Sequence, residues 1–160
     1  MDIILKEIVA IIKEETENIN KKIYGTTFLE ILKEKILNRI DQTPLKNIQM
    51  QNSNIDLDKK INIAEKNIFF RLSFYHNPKS LLKFKLNKNF LIVVFKEIVK
   101  IDILNQNTQK YINLSLKPFM GLTLSKGTVC NLNFPKNSLI IQLELDDIDF
   151  DIEKKQEKTI

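Results

Sequence analysis

The sequence contains one histidine, one cysteine and three glycines in 160 residues. Because His76 is the only histidine, chemistry that needs two imidazoles on one protomer is excluded. Because Cys130 is the only cysteine, no intramolecular disulfide can form, which agrees with a reducing compartment. Gly25, Gly121 and Gly127 do not have the spacing of a Walker or Rossmann loop, so phosphate sites of those kinds are excluded as well.

Long apolar runs are also lacking. Charged residues at 6–7 and 13–15 interrupt the first 15 residues, so they do not have the apolar stretch of a secretion signal. No other segment approaches the ~20 apolar residues that a membrane-spanning helix needs. We therefore expect a soluble, cytoplasmic protein with no membrane partner. Its length and its 43% of hydrophobic residues predict one compact domain.

Arginine is scarce, with Arg39 and Arg71 against 23 lysines. This bias is typical of an AT-rich genome, so clusters of lysine carry little weight by themselves. Residues 71–136 nevertheless contain eleven bases and two acids, and residues 137–153 contain six acids and no base. The two stretches could compensate each other, or the basic one could bind an anion or nucleic acid. The candidate anion-binding residues are Lys83, Lys85, Lys88, Lys96 and Lys100.

Nucleic acid is a less favoured partner than a small anion. Arginine makes the bidentate contacts that recognise phosphates and guanine, and it is nearly absent from the basic stretch. The phenylalanines fall mainly on the predicted inward side of the strands, which leaves few exposed rings for stacking on bases.

Residues 1–43 have the apolar spacing of two helices. Gly25 is a good C-cap for the first helix, and Thr26 or Thr27 with Glu30 would form a capping box that starts the second. The pair Thr43-Pro44 should end it. This pattern predicts a helical hairpin that serves as a scaffold or a dimerisation element.

The remaining sequence changes from a connection to strands. Residues 44–66 are polar and predict a connection with one short strand near residues 61–64. Residues 67–153 alternate apolar and polar side chains between short turns, which predicts about eight antiparallel strands in a sandwich or barrel. A change of parity suggests a bulge at Asp146-Asp147, and residues 154–160 form a polar tail. The fold class is therefore α+β, a helical hairpin packed on an antiparallel β-barrel or jelly roll.

The spacing after His76 resembles the first motif of the cupins, a jelly-roll family. That motif runs His, any residue, His, three or four residues, Glu, six residues, Gly, and the corresponding positions here are His76, Pro78, Leu82 and Asn89. The first histidine is kept. The second histidine and the glutamate are replaced by residues that cannot bind a metal, and asparagine replaces the glycine at a turn whose left-handed conformation it tolerates.

The second motif of the cupins resembles residues 125–130. Gly127 stands at the turn, and Cys130 stands where the family has another metal-binding histidine. The stretch 131–145 is similar to the final hairpin of a cupin. The resemblance covers about residues 67–145 and implies a cupin-like β domain over 67–153.

The resemblance implies a domain without a metal cofactor. A catalytic iron, manganese or zinc site needs three or four ligands, whereas this chain would offer His76 and Cys130. We therefore expect a metal-free, cupin-like protein for binding or assembly, with an unknown ligand, no cofactor and a possible homodimer. This expectation inclines against an enzyme.

An alternative is a metal-independent isomerase or epimerase that acts on a small sugar or carboxylic acid. His76 would be its base, because an imidazole titrates near neutral pH. The possible neighbours are Tyr75, Tyr111 and Cys130. The simpler interpretation makes His76 a turn residue at the end of a strand and Cys130 a small apolar filler of the core.

Six acids at 144–153 could suggest a calcium site. The alternation of these acids with apolar residues differs from a calcium-binding loop. We interpret the segment as a solvated edge strand that is protected against aggregation.

Overall fold

The computed structural model describes residues 2–40, 52–63 and 65–147, without the side chain of Asp2. The predicted helix stop at Thr43-Pro44, the parity change after residue 147 and the polar tail lie outside these residues.

Two helices open the chain, as the sequence predicts. Helix α1 spans Asp2–Glu17 and helix α2 spans Gly25–Arg39. The guanidinium group of Arg39 lies 2.8 Å from Glu14 and 3.2 Å from Glu15, which links the two helices. The apolar faces of both helices are buried on the β domain.

The predicted caps of the helices are wrong. Helix α1 ends eight residues before Gly25, which instead has a φ of 65° and is the first residue of α2. No side chain caps α2 from its N-cap, Tyr24. Glu30 accepts a hydrogen bond from Thr123 and pairs with Lys33, so it does not turn back to the start of the helix. A contact that is distant in sequence thus replaces the local capping box.

Nine strands follow among the described residues. They are β1 (Ile55–Ile63), β2 (Lys66–Tyr75), β3 (Lys79–Lys85), β4 (Asn89–Lys96), β5 (Val99–Asn105), β6 (Lys110–Leu116), β7 (Gly121–Leu124), β8 (Val129–Phe134) and β9 (Ser138–Asp147). They form one sheet in the order β1-β2-β9-β4-β7 and another in the order β3-β8-β5-β6.

The strand pairs are nested. Strand β5 pairs with β6, β4 with β7, β3 with β8 and β2 with β9, all antiparallel. This is the pattern of one long hairpin rolled into two sheets, which defines a jelly roll. The predicted α+β fold with an antiparallel jelly roll is confirmed.

Strand β1 is an addition to the jelly roll, and the sequence places most of it in the connection 44–66. Nine of those residues pair with β2. The apolar side of β1 contains Ile55, Leu57, Ile61 and Ile63, but Lys59 interrupts the row. The interruption hid the period of two, so only the end of the strand was predicted.

The five-stranded sheet is the middle of three layers. Alternate residues of its strands, such as Leu91 and Val93 on β4, pack against the helices. The residues between them, such as Ile92 and Val94, pack against the four-stranded sheet. The chain therefore has two apolar cores, one on each side of this sheet.

Strand β9 lies in the centre of the five-stranded sheet, between β2 and β4. The interpretation of its acids as an edge strand is therefore wrong for residues 138–147. The ladder to β2 continues in register to Asp147 opposite Lys66, without the predicted bulge at Asp146-Asp147. Register shifts occur in two other ladders. One lies between Leu81 and Phe84 in the β3–β8 ladder, where Lys83 has a φ of 51°, and the other lies between Val94 and Lys96 in the β4–β9 ladder.

Candidate functional site

The space between the two sheets is filled with apolar side chains. Large buried residues from both sheets meet there, and none of them carries a charge: Phe90, Ile92, Val94, Ile101, Leu132, Phe134 and Ile140. A ligand would have to displace this core to enter. The interior of the jelly roll is therefore a packed core among the described residues, unlike the open polar cavity that chemistry inside the barrel would need.

Tyr75 lies at one end of this core. Its ring stacks on Phe134 with 4.9 Å between the centroids, and the ammonium group of Lys79 lies 5.5 Å from the ring. Burial raises the pKa of the Tyr75 hydroxyl. The hydroxyl therefore stays protonated at neutral pH and is suited to hydrogen bonding.

His76 lies directly after β2, at the end of a strand as the sequence predicts. Its Nδ1 atom is buried and has no hydrogen-bond partner in the described structure. The same is true of Oδ1 of Asn137 and Oγ of Ser138, two residues that adjoin it through the end of the β2–β9 ladder. Three buried polar atoms without partners thus occur at one corner of the fold, where an ordered water could satisfy them.

Cys130 and Tyr111 lie apart from this corner. Cys130 is completely buried on β8, and burial raises the pKa of its thiol. It lies four positions before Phe134 on the same strand, which corresponds to about 13 Å. Tyr111 is 37% exposed and pairs with Leu104 on the outer face of the four-stranded sheet. The structure therefore places His76 beside Tyr75 and brings neither of the other two candidates to them.

The residues at the cupin metal positions do not fit a metal. The side chains of Pro78 and Leu82 have no atom that could coordinate a metal, and Leu82 is 71% exposed. Cys130 lies about 13 Å along β8 from Phe134, whose ring stacks on Tyr75 next to His76. Among residues 2–40, 52–63 and 65–147, no group of three or more metal-binding side chains occurs.

The five candidate lysines lie on different parts of the surface. Lys83 and Lys85 are on the edge strand β3, and Lys100 is on the outer face of β5. Lys88 directly precedes β4 and Lys96 is its last residue, so the two lie about 26 Å apart along the strand. Of these five lysines, Lys88 lines both of the cavities described below.

The four-stranded sheet leaves one half of the five-stranded sheet uncovered. On the side that faces it, β4 carries buried apolar residues, whereas β1 and β2 carry polar ones apart from Phe69 and Tyr75. Arg71 donates to Asp58 over 2.6 Å, and Ser73 donates to Asp56 over 2.6 Å. The bond to Asp58 raises the pKa of Arg71, so the pair stays charged.

Two cavities open where this polar half meets the loops at one end of the fold. The first has about 360 Å³ and lies between the start of α2, the β3–β4 and β7–β8 loops and the end of β9. The second has about 310 Å³ and lies on β1 and β2. Both are lined by Lys88 and Asp146, whose charged groups are 4.0 Å apart. We call the two cavities together the end cleft.

The lining of the end cleft is polar and rich in amides. The first cavity is lined by Tyr24, Gly25, Thr26, Asn87, Lys88, Asn89, Ser125, Lys126, Leu145, Asp146 and Asp147. The second is lined by Lys60, Asn62, Asn67, Ile68, Phe69, Lys88 and Asp146.

Most of this site is not predicted from the sequence. Lys88 is among the predicted anion-binding residues, but Lys60 falls in the predicted connection and Asn62 in its short strand near residues 61–64. The signal was present, because polar residues recur at every second position from Asp56 to Asn62. That period of two marks the solvent side of a strand.

Among comparisons with known proteins, the matches are to solved structures at low identity. No protein-family model matches the chain, and no curated protein does. A solved cupin superfamily protein from Desulfitobacterium hafniense matches 65% of this chain and 89% of its own, with 14% identity and a TM-score of 0.48. The order of the strands decides the fold. It is a jelly roll.

Two further cupin-like matches are enzymes that act on oxalate. An oxalate decarboxylase of Bacillus subtilis matches 62% of this chain and 27% of its own, with 6% identity and a TM-score of 0.49. An oxalate oxidase matches 62% and 53%, with 8% identity and a TM-score of 0.46. This chain thus spans about half of the oxidase and about a quarter of the decarboxylase. Among its described residues, the chain has no helix long and apolar enough to cross a bilayer.

Proposed function

We propose that this cupin-like chain is a metal-independent binding protein whose ligand occupies the end cleft. The observation that carries the proposal is the contrast between two places. The interior, where the cupin metal would lie, is packed with apolar side chains. The end cleft is open, and each of its cavities lies at the lower end of the ~300–1,000 Å³ range of small-molecule sites.

The chemistry of the lining supports binding rather than catalysis. Among the described residues that line the cleft, no histidine or cysteine occurs. Lys88 is paired with Asp146, and Asp147 accepts a hydrogen bond from the Gly25 amide over 2.7 Å. Histidine is the commonest general acid or base in enzymes, so a lining of amides and paired charges favours binding over catalysis.

A titration with small-molecule libraries tests this proposal. Amide signals of residues 87–89 and 125–126 in ¹⁵N-labelled protein should shift with a ligand, whereas those of β6 should not. Lys88→Met should weaken the binding, and Lys100→Met on the outer face is the matched control. Ligands that shift only signals outside the cleft would rule the proposal out.

The isomerase or epimerase alternative rests on a different corner of the fold. The buried atoms without partners at His76, Asn137 and Ser138 support it, because unsatisfied polar atoms recur at functional sites. His76→Gln should then abolish turnover of a sugar or carboxylic acid substrate while the fold persists. Unchanged turnover in that variant would exclude His76 as the base.

Assembly and location stay proposals as well. A homodimer would show as a doubled mass in analytical ultracentrifugation, and a monomer at all concentrations would exclude it. We propose the cytoplasm as the compartment, because the single cysteine is a buried free thiol.

A further inference from the structure

We infer that the ligand of the end cleft is a neutral, hydroxyl-rich molecule, namely a short oligosaccharide. This inference rests on the proposed function and names the class of its ligand. It follows from the charge balance, the hydrogen-bonding groups and the division of the cleft.

The lining of the cleft carries charges of both signs, with the ammonium groups of Lys60, Lys88 and Lys126 and the carboxylates of Asp146 and Asp147. Lys88 and Asp146 form the wall between the cavities. Lys60 stands on β1 beside Asp58 and faces Phe69, whose other neighbour in the ladder is Glu144. An anion would meet the carboxylates and a cation would meet the ammonium groups, so neither has a site of one sign. A neutral ligand avoids this conflict.

The uncharged groups of the cleft both donate and accept hydrogen bonds. A carboxamide has a carbonyl acceptor and an NH₂ donor side by side. A sugar hydroxyl also donates and accepts, so neighbouring hydroxyls match a carboxamide. Asn62 and Asn67 are register partners on β1 and β2, which places two carboxamides side by side in the second cavity. In the first cavity, the lining includes the carboxamides of Asn87 and Asn89 and also the hydroxyls of Thr26 and Ser125.

Each cavity also contains one aromatic ring. Tyr24 lines the first cavity and Phe69 lines the second. The guanidinium group of Arg71 lies 5.7 Å from the Phe69 ring, on the same strand. The C–H faces of a sugar ring pack well on such rings, whereas an inorganic ion gains nothing from them.

The division of the cleft sets the length of the ligand. The two cavities are of similar volume and share Lys88 and Asp146. A ligand with one sugar unit in each cavity and a third unit between them would lie across this pair. The bridge of 4.0 Å is only partly buried, so its groups are free to hydrogen-bond the hydroxyls above them. We therefore expect a trisaccharide to bind more tightly than its monosaccharide.

The test uses the full chain and isothermal titration calorimetry. The neutral probes are cellotriose, maltotriose and chitotriose with their monosaccharides, and the charged probes are inorganic phosphate, citrate and spermidine. One trisaccharide should bind, and Asn67→Ala and Asn87→Ala should each weaken it about tenfold, as loss of one or two hydrogen bonds does. Asn113→Ala is the control, because Asn113 is exposed on the outer face of β6.

The outcomes separate the inference from the proposed function. One outcome is that phosphate, citrate or spermidine binds, that Lys88→Met weakens this binding, and that no neutral probe binds. The inference is then wrong, and the proposed function stands. If a trisaccharide binds with equal strength to Asn67→Ala, Asn87→Ala and wild type, the sugar site lies elsewhere and the inference is also wrong. If no compound of any charge shifts the amide signals of the cleft, the proposed function fails. Thermal unfolding of Asn87→Ala, an exposed loop variant, guards against a loss of fold.

Discussion

The ammonium nitrogen of Lys66 lies 3.9 Å from the carboxylate of Asp147, and both side chains are almost completely buried. Lys66 donates to the carbonyl of Lys21 over 3.1 Å, and its ammonium group lies 4.6 Å from the ring of Tyr24. Asp147 also accepts from the amide of Gly25. The pair therefore fastens the helical hairpin to the first and last strands of the jelly roll.

Removing one partner of this pair should destabilise the protein strongly. Lys66→Ala leaves the carboxylate of Asp147 buried beside apolar rings, and breaking such a pair costs about 3–5 kcal/mol of unfolding free energy. Urea denaturation measures the loss. Lys60→Ala, an exposed lysine of β1, is the control and should change stability by less than about 0.5 kcal/mol. Equal stability of the two variants would contradict the role of Lys66.

The same lysine should affect the dependence of stability on pH. Burial lowers the pKa of Lys66 in the folded protein, although attraction to Asp147 opposes the shift. Between this lowered pKa and the ordinary lysine pKa, the unfolded chain binds the proton and the folded chain does not, so stability rises with pH in that window. Subtracting the profile of Lys66→Met from that of the wild type isolates this rise. A difference that is flat or falls with pH in the window would contradict the assignment.

Much of the fold could be predicted because the periods in the sequence are long. The apolar rows of β2, β5 and β9 each extend over enough positions to show alternation. Strand β1 could not be predicted in full, because Lys59 interrupts its row of apolar residues. The start of α2 could not be predicted either, because the Gly25 amide donates to Asp147, which lies 122 residues later in the sequence.

Cys130 should be inert in the native protein. The thiol is buried and burial raises its pKa, so little thiolate forms and reagents do not reach it. Iodoacetamide should modify it slowly in buffer and rapidly in denaturant, as followed by mass spectrometry. Rapid modification of the folded protein would show instead that the interior opens readily.

The packed interior should respond to a cavity. Phe134 is 1% exposed and stacks on Tyr75, so Phe134→Ala should cost about 3–5 kcal/mol. Phe84→Ala is the matched control, because that ring is 39% exposed and its loss should cost less than about 1.5 kcal/mol. Chemical denaturation measures both. A small loss for Phe134→Ala would mean that the space between the sheets is loosely filled.

The lysines should not produce a nucleic-acid site. Lys88 lies 4.0 Å from Asp146, and Lys100 stands two positions from Asp102 on the same face of β5, so each has an acid nearby that repels phosphate. We expect no retardation of single- or double-stranded oligonucleotides at low salt. Retardation that falls steeply with salt would support the nucleic-acid alternative instead.

The site was less predictable than the fold because sequence spacing does not show which half of a sheet is covered. The cupin-like spacing directs attention to His76 and Cys130, yet His76 follows β2 and Cys130 is buried on β8, a strand of the other sheet. The cleft depends on loops that meet only in the folded chain, such as those with Asn87 and Lys126. Of its residues, Lys88 was identified for its charge alone.

The central position of β9 has a consequence for the synthesis of the protein. Strands β2 and β4 are made early, but the strand that joins them is the last described one to leave the ribosome. Lys66 must wait for Asp147 before its pairing is complete. Until then, the apolar sides of both strands are exposed to other chains, so nascent chains released before this point should aggregate or bind chaperones.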